Sequence, residues 1–315
     1  MSQIETKPDQ SAEPTSDERL MAALAHGSVV ISFLGPIGPI LIWISQRRKS
    51  AYASFHALQA MGYQMFFFWV GIAMGFVVAI LWVCLLIPIF ASLETDSRSL
   101  EFAPFAFEGG FFLLIFSLWG LYMAGGVIGA FRCLLKYEFD YPVLGKKLKA
   151  YLAYDPGATV PIDEAKEDRW VAAMGHGSAI LLMWGLTSPL AVWITQKDRS
   201  RYLRLQALQA FVYQLLALLA YFGFMAIYFF SIIALAFVLP LAPSPDSGLS
   251  NLSLGGLLIF GILILAVWLV ILLAIPAYHL FAMIAAIETL KGKDYRYPLL
   301  GKFIEQRLNP DRPAN

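Results

Sequence analysis

Residues 18–64 read ERLMAALAHGSVVISFLGPIGPILIWISQRRKSAYASFHALQAMGYQ, and residues 168–214 read DRWVAAMGHGSAILLMWGLTSPLAVWITQKDRSRYLRLQALQAFVYQ. The two stretches align without a gap, and 19 of their 47 positions are identical. The shared residues include His26-Gly27-Ser28 with His176-Gly177-Ser178, Gly35, Pro39 and Trp43 with Gly185, Pro189 and Trp193, and Ala57-Leu58-Gln59-Ala60 with Ala207-Leu208-Gln209-Ala210. The copies realign at Tyr141-Pro142 and Tyr297-Pro298, each followed by a Leu-Gly-Lys triplet. A repeat of this size is one folding unit duplicated, so both halves are expected to share one structure.

The composition sets the solvent of that unit. Hydrophobic residues make up 59% of the chain and charged residues 14%, too apolar for a water-soluble domain. No Asp, Glu, Lys or Arg occurs between Lys49 and Glu94, Glu108 and Arg132, Arg204 and Asp246, or Asp246 and Glu288. Each run exceeds the roughly 20 residues that carry a helix across about 30 Å of hydrocarbon. The expected class is an all-α, polytopic helical membrane protein. A net charge of +1 gives no signature of nucleic-acid binding. The polar start has neither a basic end nor an apolar core, so no signal peptide is expected.

Each copy holds three apolar segments: Leu20 to Ser45, Ala57 to Ala91 and Gly109 to Phe131 in the first, and Trp170 to Thr195, Ala207 to Leu241 and Leu254 to Ile287 in the second. Three single crossings per copy would invert one copy relative to the other and put one basic set outside, against the positive-inside rule. If the first segment instead enters and returns on one side, 22 of the 23 Lys and Arg residues are cytoplasmic and only Arg98 is external. The means of return is the Gly/Pro cluster at 35–39 and its twin at 185–189, because proline removes a helical hydrogen bond and clashes with the turn before it. The arms, roughly 18 and 10 residues or about 27 and 15 Å long, suit a wedge better than two full spans. The expected architecture is two parallel repeats, each a broken re-entrant hairpin plus two transmembrane helices. The expected divisions are a disordered tail over 1–16, repeat one over 17–152, a cytoplasmic linker over 153–162, repeat two over 163–309 and a tail over 310–315. Both termini are expected on the cytoplasmic side of a bacterial inner membrane, with the lipid bilayer as the principal partner and the chain acting as a fused pseudo-dimer.

His26 and His176 open the first segments, and Gln59, Gln64, Gln209 and Gln214 put amides at the inner ends of the longest helices. These six are the candidate binding residues. The histidines could face each other across a pseudo-two-fold axis and bind an ion or polar solute, or be satisfied locally. The amides suit hydrogen bonds to neighbouring helices, the broken backbone included. Gly35, Pro39, Gly185 and Pro189 at the breaks, and Tyr141, Pro142, Tyr297 and Pro298 at the closing motifs, are expected to be structural. No metal site is expected, since no Cys or carboxylate flanks the histidines in sequence and His56 is replaced by Gln206. No nucleophile–base pair, phosphate loop or haem motif is present, so no cofactor and no enzymatic activity are expected.

Taken together, the Asp17-Glu18-Arg19 start, the Gly-Pro break, Trp43-Ile44, the basic turn, Ala57-Leu58-Gln59-Ala60 and the closing Tyr-Pro motif resemble a family. It is a bacterial membrane domain family of unknown function related to the inner-envelope subunit of the chloroplast protein-import translocon. The resemblance covers about Asp17 to Leu148 and Asp168 to Leu308. It implies a small helical bundle contributing to polypeptide translocation or insertion, with a translocating polypeptide or other membrane proteins as partners. The alternatives are a small-solute or ion transporter and a structural partner of other membrane proteins.

Overall fold

The computed structural model describes residues 13–34, 36–92, 103–156, 162–238 and 250–308. Gly35, the core of the linker, both loops expected outside and the outer parts of both tails lie outside the described residues. Among the described residues the elements are helices and turns. The first copy comprises α1 (Ser16–Gly27), a 3-10 segment (Ser28–Leu34), α2 (Ile37–Gln46), α3 (Ala51–Ser92), α4 (Ala103–Leu134) and α5 (Leu144–Leu152). The second repeats the order with α6 (Glu164–Gly177), a 3-10 segment (Ser178–Trp184), α7 (Thr187–Gln196), α8 (Arg201–Val238), α9 (Ser250–Leu290) and α10 (Leu300–Leu308).

Local chemistry sets the boundaries. Thr15 caps α1 through a capping box with Glu18, and Asp163 accepts from the Ala165 and Lys166 amides at the start of α6, each satisfying backbone donors that a helix start leaves open. The chain then turns back at the Gly/Pro cluster. Ser178 Oγ donates to the carbonyls of Gly175 and Gly185, at 2.7 and 2.9 Å, which ties the two arms of the second break together. Gly185 is required there, because a Cβ at that position would run into the Ser178 carbonyl oxygen.

Among the described residues four helices are long and apolar enough to cross a membrane, and their buried positions gather toward one end. In α3 the chain from Ala53 to Met65 is buried and the chain from Phe66 to Leu85 is largely exposed. In α4 the buried positions are Tyr122, Gly126, Gly129 and Cys133; in α9 they are His279, Ala282, Ala285 and Thr289. The stretches beyond these boundaries run roughly 28 to 43 Å at 1.5 Å per residue, which matches a hydrocarbon layer of about 30 Å. The rest of each long helix joins α1, α2, α5, α6, α7 and α10 in a compact base.

One core cluster runs through that base and through both copies. Ile40, Trp43, Leu58 and Met61 of the first copy pack with Val171, Ala172, Val192, Leu203 and Ala207 of the second. Gly62 lets α6 approach closely: a Cβ there would sit 2.5 Å from Trp170 Cζ2, and the Trp170 indole donates to the Leu58 carbonyl at 3.0 Å. The basic turns that follow the two hairpins meet at the same end of the molecule, since Arg47 donates to Gln196 Oε1 at 2.9 Å and Arg48 pairs with Glu164. Above the base the paired helices part. An apolar groove of about 240 Å³ lies between α3 and α4, lined by Phe67, Gly71, Phe111 and Trp119 among others. A second, of about 210 Å³, lies between α8 and α9 around Tyr228, Ser231 and Trp268.

The two short helices α5 and α10 lie half in the base. Leu148 and Leu152 of α5 and Ile304 of α10 are buried in the base, whereas Val143, Leu299 and Phe303 are exposed. The apolar face is shared between protein and surroundings.

Candidate functional site

Each copy closes around the same aromatic node. Tyr63 stacks on Tyr141 with ring centroids 3.8 Å apart, and Tyr213 stacks on Tyr297 at 4.0 Å. Tyr63 donates to the Tyr122 carbonyl at 3.0 Å and Tyr213 to the Tyr278 carbonyl at 2.9 Å. Proline disfavours helical backbone in the residue before it, so the Tyr-Pro segment leaves α4 or α9 and lays its tyrosine across the bundle. The histidine meets that tyrosine from α1 or α6. His26 Nδ1 lies 3.0 Å from Tyr141 Oη, and His176 Nδ1 lies 3.1 Å from Tyr297 Oη.

The six candidate residues are therefore engaged within their own copies. His26 and His176 are fully buried, and each bonds to partners of its own half. Gln59 donates to Asp140 Oδ1 at 3.2 Å, while Gln209 accepts from the Tyr297 amide at 3.2 Å. Gln64 donates to Ser28 Oγ at 2.8 Å, and Gln214 donates to the Gly175 carbonyl at 2.9 Å. These amides fasten the long helices to the hairpin breaks and to the closing loops.

The copies differ at the other imidazole nitrogen. In the second, His176 Nε2 meets Gln206 Oε1 at 3.0 Å, and the Gln206 amide donates to Asp294 at 2.8 Å. In the first, His26 Nε2 lies 3.0 Å from His56 Nδ1, and Cys133 Sγ lies 3.8 Å from that same atom. One ligand-capable atom from each of these three buried residues lies within 4.8 Å of the others. The expectation of no metal site rested on the lack of Cys near the histidines in sequence. Cys133 lies 77 residues from His56 in the chain and reaches it because α4 returns along α1 and α3. Its place beside an apolar run reads as core filling, and only the fold reveals its neighbours.

A second polar cluster joins the copies. The Arg47 side chain, 3% exposed, pairs with Asp168 at 2.8 Å and lies 3.8 Å from Glu167, with its guanidinium 4.6 Å from the centre of the Trp43 ring. Asp168 also accepts from the Ser200 hydroxyl. Burial pushes the Glu167 carboxyl up to about 8, with Arg47 pulling the other way. The folded protein thus binds a proton that the unfolded chain releases above about 4.5. The resulting stability is complete at low pH and is lost as pH rises through about 8. Between about pH 5 and pH 9 the unfolding midpoint in detergent should fall, by the equivalent of about 1–3 kcal/mol, and Glu167→Gln should flatten that dependence. A midpoint that rises with pH in the same range would contradict this assignment.

The comparisons with known proteins bear on both copies. A family model described as the magnetosome magnetite crystal formation protein family matches residues 17–148 and again 167–304. This match carries no link to the chloroplast import machinery. No curated protein and no solved structure matches the chain. With both copies matched over most of their length, this membrane protein belongs to the magnetosome magnetite crystal formation protein family.

Proposed function

We propose that the protein is a non-enzymatic membrane scaffold that serves crystal formation in a membrane-bounded compartment. One observation carries this reading: in the base the two copies share one continuous core, and the polar residues that would line a shared solute path there are turned inward and bonded within each copy. Two grooves among the described residues lie within single copies, between α3 and α4 and between α8 and α9, and are lined by apolar side chains. Such surfaces suit lipid and other membrane helices. The family's description supplies the crystal-forming context.

In this reading the exposed stretches of the four long helices fill the bilayer, and the hairpins end at its inner boundary without penetrating its middle. The basic turns then face the cytoplasm, and a single chain does the work of a dimer of single-copy domains. Assistance to polypeptide insertion is the second reading, favoured by the lipid-facing grooves alone.

Deletion of the gene in its host, followed by electron microscopy of membrane-enclosed crystals, tests the proposal. Smaller or misshapen crystals are expected, restored by the wild-type chain and not by Arg47→Ala. Normal crystals in the deletion strain, or selective solute flux through vesicles containing only the purified chain, would overturn it. Photocrosslinkers at Leu118 and Ile264 should capture lipid or folded membrane proteins; capture of nascent apolar segments would favour the second reading.

A further inference from the structure

The second copy shows what the fold requires of its buried histidine: a tyrosine at one ring nitrogen and an amide at the other. The first copy keeps the tyrosine but replaces the amide with a second imidazole and adds a thiol. The position matching Cys133 is Thr289, also fully buried. Two imidazoles and a thiol in place of an amide and a hydroxyl exceed what packing needs. They form a donor set.

The geometry of that set is close to closing on one ion. Two nitrogens each about 2.0 Å from a common ion stand 3.0 Å apart at an angle near 95°, and a small opening brings them to a regular site. A sulfur about 2.3 Å from the same ion stands 3.8 Å from a nitrogen at an angle near 120°. With its proton on Nδ1, His26 donates to the Tyr141 hydroxyl and leaves Nε2 bare, the outer hydrogen bond that orients a ligating imidazole. His56 presents Nδ1 when its proton is on Nε2. The thiol loses its proton to solvent on binding, and the thiolate offsets the positive charge of Arg19 and Lys149 nearby. Around the donors stand Tyr52, whose ring centre is 4.4 Å from that of His56, and Phe139, 5.2 Å from His26.

We propose that His26, His56 and Cys133 bind one soft or borderline d-block ion inside the base of the first copy, in a three-donor N2S site. That donor chemistry suits monovalent copper, which accepts three ligands, and zinc, which would add a fourth. No carboxylate contributes, so the site disfavours hard, oxygen-seeking ions. It is a site within the chain and separate from any growing mineral. The inference does not depend on the scaffold reading.

The test uses the purified full chain in detergent without oxygen, with Cys84→Ser to remove the exposed thiol. Monovalent copper is supplied from a coloured chelator, zinc in a parallel arm, and divalent cobalt serves as the spectroscopic probe. The wild-type core should withdraw a single equivalent of copper or zinc, and cobalt should give a sulfur-to-metal charge-transfer band. His56→Gln with Cys133→Thr, the residues of the second copy, should abolish both while leaving the metal-free melting temperature nearly unchanged. The reverse graft, Gln206→His with Thr289→Cys, should add a second equivalent, which keeps the test decisive if the first double variant folds poorly. Equal uptake by wild type and the double variant, no uptake by the wild type, or preferential retention of ferrous iron over zinc would each overturn the proposal.

Discussion

Arg47→Ala should destabilise the base by about 3–5 kcal/mol, because it leaves Asp168 buried without its cation. The guanidinium also covers the Trp43 ring, so packing is lost with the charge. The effect should appear as a lower unfolding midpoint in detergent and as faster protease cleavage in the linker between the copies. Arg48→Ala is the control. Its pair with Glu164 has both side chains more than half exposed, and removing such a pair changes stability by less than about 1 kcal/mol. Equal losses in the two variants would mean that the Arg47 cluster does not hold the copies together.

The other large effect is expected at Gly185. An alanine Cβ would meet the Ser178 carbonyl oxygen and lie 2.9 Å from Gln214 Oε1. The first of these is backbone held in place by the Ser178 hydroxyl bonds, so it cannot swing away as a side-chain end would. Gly185→Ala should cost about 3 kcal/mol or more, with the cost arising from overpacking at the break. Gly223→Ala, where the added methyl has open space, should be neutral or slightly stabilising through helix propensity. A tolerated Gly185→Ala would show that the hairpin break relaxes freely.

What the sequence revealed follows from which forces are periodic along the chain. The duplication, the four apolar runs and the helix-breaking clusters are local patterns, and each appears in the structure as an element or a turn. The caps at Thr15 and Asp163 are local as well, each set by residues within three positions along the chain. Helix length was less legible, because apolarity marks what lipid accepts and not where backbone hydrogen bonding stops. α3 starts at Ala51, six residues before the apolar segment read from the sequence, and α4 runs from Ala103 to Leu134 instead of Gly109 to Phe131. The division of α3 at Met65 and Phe66 is invisible in hydropathy, since both sides are apolar. It depends on what packs against them.

The candidate site shows the same limit more sharply. His26, Gln59 and Gln64 stood out as polar residues in apolar surroundings, and the structure finds them buried. Their pairing did not stand out. Ser28 and Tyr141 were conspicuous only as repeated residues, and Asp140 is an ordinary loop residue until the fold brings it to Gln59. Cys133 is the clearest case, because a cysteine in an apolar run reads as core filling whether or not two imidazoles face it.

In the proposed arrangement the two copies stand parallel, with both basic turns, those that follow α2 and α7, at one membrane face. Cysteine accessibility tests it most directly. In a Cys84→Ser, Cys133→Thr background, Arg48→Cys and Arg199→Cys place a thiol at exposed positions of the two turns. A membrane-impermeant maleimide added to intact cells should label neither, and both should be labelled in inverted membrane vesicles. Labelling of one turn from outside and the other from inside would contradict the account.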